Sequence, residues 1–271
     1  MIVRSDFHIH TCFCDGVDTP EDIVKAAIKQ DFNALGFSGH SYTDFDEEYC
    51  MNKEKTKEYI DEITRLKSKY LPDINIFLGL EKDYFSQELN CPFDYIIGSV
   101  HYVLKDGHYL AIDESATSVS DSVQTFYGGN YYRYAEDYYT LVADIVQKTD
   151  ADIIGHFDLL TKFNEGGKYF DESDHRYTAP ALKALEVLVK TGRLFEINTG
   201  AISRGYKATP YPSAFLLKAL RDKGGEIIFS SDSHSQKTLG FGFDSAVRLA
   251  KDCGFSHSKV LTRNGFRSVS I

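Results

Sequence analysis

Seven short strand-like runs, at residues 2–7, 33–37, 74–78, 95–100, 152–154, 194–197 and 226–229, recur along this chain. Most are separated by segments of helical periodicity, at residues 20–30, 53–70, 131–148, 179–190, 213–223 and 244–252. Strand then helix, repeated, argues for a parallel sheet, because a parallel pair needs a long crossover that a helix supplies. Local chemistry marks several boundaries. Thr19-Pro20-Glu21-Asp22 offers an N-cap, a proline at the first helical position and an acid at the third. Gly192 and the Gly224-Gly225 pair follow helical segments, where a left-handed residue commonly ends a helix. No linker, fixed-period repeat or low-complexity tract interrupts the alternation. The expectation is a single α/β domain over residues 1–271, a closed or distorted barrel of about seven strands, with an open doubly wound sheet as the alternative.

Composition narrows the class. With 271 residues, 42% of them hydrophobic, the chain can bury one large core without cross-links, so its five scattered cysteines are expected to be free thiols. A formal charge of −10 repels phosphate backbones, which makes nucleic acid a poor partner. No window approaches the ~18 apolar residues of a membrane span, and the start has no stretch of signal-peptide length. A cytoplasmic location with no membrane partner is expected.

The polar residues fall in a pattern. The first run leads to His8 and His10, the second to His40, the third to Glu81 and the fourth to His101. The fifth leads to His156, the sixth to Glu196 and Asn198, and the seventh to Asp232 and His234. In a parallel barrel all strand C-termini share one face, and enzymes of this architecture place their chemistry there. Residues at i and i+2, such as His8/His10 and Asp232/His234, can share a face. A lone histidine at a strand end is more often a core or surface residue than a ligand, but repetition at strand after strand points to a metal site. Imidazole with carboxylate suits Zn, Fe or Mn. Asp15, in the turn after His10, can swing a carboxylate over the same face or simply form the turn with Gly16. Cys12 and Cys14 are too closely spaced for a zinc knuckle.

The segments Asp6-Phe7-His8-Ile9-His10-Thr11, Gly36-Phe37-Ser38-Gly39-His40-Ser41, Gly79-Leu80-Glu81, Gly98-Ser99-Val100-His101-Tyr102, Gly155-His156-Phe157-Asp158 and Ser231-Asp232-Ser233-His234 resemble, in order and spacing, the motifs of the PHP (polymerase and histidinol phosphatase) family. Glu196-Ile197-Asn198-Thr199-Gly200 and Pro210-Tyr211-Pro212-Ser213 are similar to its stand-alone L-histidinol-phosphate phosphatases. The resemblance covers essentially the whole chain. It implies a distorted (β/α)7 TIM-like barrel with three divalent metal ions. By that resemblance His8, His10, Glu81 and Asp232 hold the first metal, and Glu81 bridges to a second held by His101 and His156. Asp15, His40 and His234 hold the third. Many relatives carry a histidine where this chain has Asp15, which makes the third site more anionic and harder.

The chemistry expected of such a site is phosphate monoester hydrolysis, with a metal-bridging hydroxide attacking phosphorus in line. Glu81, Asp232 and Arg204 are the expected catalytic residues. Arg204, in the loop after the sixth run, can grip two phosphate oxygens, and Asn198 is expected beside it at the substrate. Asp6 is expected either to orient a ligand imidazole or to make structural hydrogen bonds, and Asp158 to orient ligands or relay protons. The resemblance implies L-histidinol phosphate as the small-molecule substrate and histidine biosynthesis as the setting. The competing readings are a PHP-type phosphoesterase or exonuclease acting on another small phosphate ester or a nucleic acid end, an amidohydrolase, and a metal-binding scaffold without turnover. Tyr131, Tyr132, Tyr134, Tyr138 and Tyr139 are expected to pack into the core at helical spacing. Oligomeric state is left open.

Overall fold

The computed structural model describes residues 3–89 and 91–271. The barrel strands are β1 (Ser5–Asp6), β2 (Ala34–Phe37), β3 (Asn75–Asp83), β4 (Tyr95–Ser99), then, after an excursion, β7 (Ile153–Ile154), β8 (Leu194–Asn198) and β9 (Ile227–Ser230). The excursion is a hairpin, β5 (Tyr102–Lys105) and β6 (His108–Ala111), followed by α3 (Ala116–Tyr127) and α4 (Tyr131–Thr149). The crossover helices are α1 (Pro20–Lys29), α2 (Lys53–Lys69), α5 (His175–Val189), a short α6 (Gly200–Ser203) and α7 (Ala214–Asp222). The chain ends in α8 (Phe243–Asp252) and a second hairpin, β10 (His257–Thr262) and β11 (Gly265–Ser270). No helix among the described residues is long and apolar enough to cross a membrane.

The sheet runs β1-β2-β3-β4-β7-β8-β9-β10-β11, parallel throughout except for the last pair. Closure comes from the chain beyond β1 and β9. His10 N–H donates to Ser233 O (2.8 Å) and Ser233 N–H to His8 O (3.1 Å), so the first and last barrel strands meet at their C-terminal ends. Seven parallel strands therefore form the expected distorted barrel, and the open sheet is not adopted.

Two apolar layers follow from this closure. Inside the barrel sit Phe7, Phe77, Tyr95, Ile97 and Ile228, while a larger cluster fills the space between strands and helices. Tyr95 is the centre of the inner layer. Its hydroxyl donates to Phe7 O (2.6 Å) and also lies 3.2 Å from Phe37 O. Gly36 and Gly79 make room for its ring: a Cβ at Gly36 would stand 2.3 Å from Tyr95 Oη, and one at Gly79 would stand 2.2 Å from Tyr95 Cζ.

The structure departs from the sequence expectations in identifiable places. Ile2, the start of the first strand-like run, lies outside the described residues, and only Ser5 and Asp6 pair as a strand. α5 begins four residues before the expected 179, because Asp174 accepts from Arg176 N–H and caps it, leaving Pro180 inside the helix. The β5–β6 hairpin has its signal in Asp106-Gly107, which take positive φ of 48° and 82° as a tight turn requires. Tyr134, Tyr138 and Tyr139 are 1% exposed and belong to the core.

Gly79→Ala is expected to cost about 1–3 kcal/mol of stability in urea unfolding, the usual range for overpacking. Combining it with Tyr95→Leu should cost less than the sum of the two single changes, because the clash is shared. Strict additivity would refute this packing argument.

Candidate metal centre

Every barrel strand delivers its polar side chain at the same rim. β3 is the longest strand, and Glu81 sits near its C-terminal end, bracketed by the chain after β2: Ser41 N–H donates to Glu81 O (2.9 Å) and Glu81 N–H to Gly39 O (3.2 Å). His40 is thereby held beside Glu81. His101 and His156 lie two residues beyond β4 and β7, and Asp232 and His234 lie just beyond β9. Asp232 has φ 50°, a left-handed conformation that costs a non-glycine residue about 1–2 kcal/mol and turns the chain at the rim.

The carboxylate of Glu81 touches five imidazoles. Its Oε2 lies 3.1 Å from His8 Nε2, 3.4 Å from His10 Nε2 and 3.0 Å from His40 Nδ1. Its Oε1 lies 3.4 Å from His101 Nε2 and 3.0 Å from His156 Nε2. Asp232 Oδ1 approaches His10 Nε2 at 3.5 Å and His8 Nε2 at 3.8 Å. On the open side Asp15 meets His234 Nε2 at 3.0 Å and both His10 Nδ1 and His40 Nε2 at 3.6 Å. Donor atoms converge in three groups: His8, His10 and Asp232; His40, Glu81 and His101; and His10, Asp15, His40 and His234. All nine side chains expected as ligands thus lie in one neighbourhood, with His10 and His40 each offered to two groups.

Other carboxylates aim the imidazoles. Glu196 Oε2 lies 2.9 Å from His8 Nδ1, and Asp83 Oδ2 lies 3.2 Å from His101 Nδ1 while accepting His101 N–H at 3.0 Å. Asp6 does not orient an imidazole. Its carboxylate is spent on the hydroxyl and N–H of Ser231 and on the N–H groups of Gly240 and His8, so the structural alternative holds. Burial, against those bonds, pushes it up to about 6. Asn198 does not face the cavity where the substrate was expected. It is fully buried behind Asp232, donating to Glu196 Oε1 (2.8 Å) and Asp232 Oδ2 (3.3 Å) and accepting from Gly200 N–H (2.8 Å). Asp158 is also fully buried, accepting from Ser213 N–H at 2.9 Å.

The donor set fits divalent cations. His8 Nε2, His10 Nε2 and Glu81 Oε2 are buried with no hydrogen-bond partner, although they lie within 3.4 Å of one another across His8–Glu81 and His10–Glu81. Lone pairs aimed into one small volume repel each other unless a cation or protons lie between them. Nitrogen and oxygen donors of this kind suit Zn, Fe or Mn. Without a cation, protons take that place. Burial disfavours charge on His8, yet Glu81, Glu196 and Asp232 raise it well above the ordinary imidazole value. His40 is likewise opposed by burial but raised to about 9 by Glu81 and Asp15. His10 goes the other way, down to about 3, through burial and the neighbouring His234 and His40. Cys14 Sγ sits 3.6 Å from His10 Nδ1, but burial pushes its thiol up to about 12, and all five cysteines are free.

A cavity of about 360 Å³ opens over the cage. Arg204 lines it, with Nη2 3.0 Å from Asp232 Oδ2 and Nη1 donating to Asp232 O at 3.0 Å. Lys162 lines it as well, buried at 7% exposure, and donates to Asp113 O (2.7 Å) and Asp113 Oδ2 (3.0 Å). Sequence reasoning missed Lys162, because it lies in an irregular loop after His156 with no patterned neighbour.

The family match agrees with this geometry: the PHP domain matches residues 6–200, and the chain belongs to that family. The chain is 31% identical over 255 residues to a probable histidinol-phosphatase of Schizosaccharomyces pombe, covering 87% of this chain and 81% of that one. It is 30% identical over 271 residues to a probable histidinol-phosphatase of Deinococcus radiodurans, covering 94% and 97%. The fold is similar, at a TM-score of 0.73 and 23% identity, to the histidinol phosphate phosphatase of Lactococcus lactis, whose crystal structure holds Zn, L-histidinol and phosphate; 98% of this chain and 100% of that one are covered.

Because His40 and His8 hold protons in the metal-free cage near pH 7, uptake of a divalent cation must displace them. Calorimetric titration of Zn²⁺ or Mn²⁺ into metal-free protein should show heats that depend on the buffer's ionisation enthalpy, and affinity that strengthens as pH rises toward about 9. The sign for folding is opposite. In the metal-free protein the protonated His40 contributes stability below about pH 6.5 that is lost as pH rises through about 9. Buffer-independent heats would contradict this account.

Proposed function

We propose that this chain is a metal-dependent phosphomonoesterase that hydrolyses L-histidinol phosphate to L-histidinol and phosphate, in histidine biosynthesis. The observation that carries the reading is Glu81, one buried carboxylate in contact with five imidazoles at the open end of a barrel. The histidinol-phosphatases it resembles along nearly their whole length supply the substrate.

His8, His10, Glu81 and Asp232 would hold a first cation, Glu81 with His101 and His156 a second, and Asp15, His40 and His234 a third. Bound there, such ions supply Lewis acidity and lower the pKa of water from about 15.7 to about 7. The chain's own residues do the rest. Glu196 and Asp83 fix the ring orientations of His8 and His101, so the cage is set before substrate arrives. Arg204 lines the cavity from the segment after β8 and Lys162 from the segment after β7, where both would meet phosphate oxygens. Ser38, Ser231 and Ser233 are not needed as nucleophiles: Ser38 and Ser231 are bonded to Ile9 N–H and Asp6, and Ser233 to Ser235 O. One domain over residues 1–271 is sufficient for this chemistry, since every residue invoked lies on the same barrel rim.

Purified protein of measured metal content, given L-histidinol phosphate, phenyl phosphate and single-stranded DNA under identical conditions, should prefer the first. Preference for DNA would overturn the reading. Glu81→Gln should abolish activity and remove the cations it shares, checked by elemental analysis; full metal content would count against the assignment. Arg204→Ala should lower kcat/KM by about 100-fold, the usual effect of removing one preorganised donor, while metal is retained. Unchanged kinetics would clear Arg204 of the role.

A further inference from the structure

Besides the acids Asp46, Glu48, Asp113 and Glu114, the cavity over the cage is lined by two cationic side chains, Arg204 and Lys162. They arrive on different segments, Lys162 after β7 and Arg204 after β8. Each head group has its own anchor, Asp232 for Arg204 and Asp113 for Lys162. Neither anchor joins the two segments to each other.

A third cation does. Lys207 is buried at 8% exposure, and its Nζ donates to Thr161 Oγ1 at 3.0 Å and lies 3.4 Å from Thr161 O. It does not line the cavity, and no carboxylate forms an ion pair with it among the described residues. Burial pushes the Asp158 carboxyl up to about 6 against the opposing charge of Lys207, yet the two do not pair. An ammonium taken out of water without a paired carboxylate works against stability, and two neutral oxygens offset only part of that. A methionine of similar shape would fill the same space without the charge. Stability therefore does not explain the residue, and such local conflicts concentrate at functional sites.

The contacts on either side of Lys207 connect the same two segments. Tyr206 meets Phe163 edge-on at 5.4 Å and 89°, and Lys162 Nζ lies 5.1 Å from the centre of the Tyr206 ring. Ser213 N–H donates to Asp158 Oδ2 at 2.9 Å. The links run antiparallel, from 158 to 213, from 161 to 207 and from 163 to 206, and Lys207 makes the middle one.

We propose that Lys207 is a positioning residue that fixes Lys162 relative to Arg204, so that both cations meet one phosphate group. The proposal rests on the phosphomonoesterase reading and adds the residue that keeps its two cationic donors in register. Lys207 itself touches no phosphate. It grips Thr161, whose neighbour Lys162 enters the cavity, from the segment that carries Arg204 three residues earlier.

The test is a double-mutant cycle on metal-loaded protein of measured metal content: wild type, Lys207→Met, Lys162→Met and the double variant. The quantities read are kcat/KM for L-histidinol phosphate, inhibition by inorganic phosphate, and the urea midpoint. Lys207→Met should keep its metals and unfold at no lower urea concentration than wild type. Its kcat/KM should nevertheless fall by about 10- to 100-fold, as misplacing a group by about 1 Å does, and phosphate should inhibit more weakly. In the Lys162→Met background the same change should cost less than about threefold, because spacing no longer matters when one cation is left. Thr161→Val, which removes the hydroxyl acceptor without altering a charge, should lower kcat/KM in the same direction. An equal loss in both backgrounds, or unchanged kinetics in Lys207→Met, would overturn the proposal. Should Lys207→Met fail to fold, unchanged kinetics in Thr161→Val would overturn it instead. If wild type hydrolyses phenyl phosphate but not L-histidinol phosphate, the substrate assignment fails, and the cycle on phenyl phosphate decides the role of Lys207 by the same two outcomes. A wild type that neither hydrolyses an ester nor binds inorganic phosphate in calorimetry would sink both.

Discussion

The structure depends on one contact set: a carboxylate buried to 1% exposure, Glu81, facing five histidines that come from four different strand ends. No chain would bury such a group without compensation, since an unpaired carboxylate in this setting costs several kcal/mol. The imidazoles compensate it, and burial's tendency to protonate Glu81 is overcome by His8, His40 and His101, which hold it well below the ordinary range. The barrel is what makes that possible. Only a closed parallel sheet brings residues 8, 40, 81, 101 and 156 to one rim, and closure itself runs through the backbone of His8, His10 and Ser233. The bonds that close the fold and the side chains that form the cage belong to the same residues.

That sharing has an energetic consequence. Asp232 sits at positive φ, and Glu196, Asp83 and Asp6 are further carboxylates buried within reach of the cage. A rim of this composition works against stability until cations occupy it, and a ligand that binds only the folded state then returns stability by mass action. The larger apolar layer between strands and helices must carry the metal-free fold. The Tyr95 ring and the glycines around it keep the inner layer tight directly beneath the rim.

Much of this was legible in the sequence because the two periods that matter are local. Alternating strand and helix patterns gave the seven barrel strands, and the residues near the strand ends gave eight of the nine cage side chains, while Asp15, in a turn, was singled out as a ligand by the family resemblance. What was not legible depends on where a side chain's partners come from. Asn198 looks like a substrate contact by position, yet its amide is consumed by Glu196 and Gly200 of its own motif and by Asp232, which only the fold brings alongside. Asp6 shares a face with His8 and His10, but Ser231 claims its carboxylate from across the closure. Asp83 lies beyond the expected end of the third run at residue 78, and only the longer β3 sets it against His101. Glycines 36 and 79 lie inside site motifs, but their reason is the Tyr95 ring, a packing requirement that no motif spells out.

The division of labour between strands and loops follows from the same physics. Cage residues sit within a few positions of barrel hydrogen bonds, so their geometry is fixed by the sheet and tolerates little change. Lys162, Glu48 and Glu114 sit on loops, where a side chain can be exchanged without disturbing a ladder. The loop bearing Glu48 is nevertheless braced by the stacked pair Phe45 and Tyr109, so it presents its charge without the entropy of a free segment. The cage is therefore held by the barrel, while the cavity mouth is lined by loops that rest partly on the β5–β6 hairpin. The two are in contact all the same, since Tyr49 of the loop bearing Glu48 packs edge-on against His40 of the cage at 4.9 Å, so a change in the loop is felt at an imidazole that the sheet holds in place.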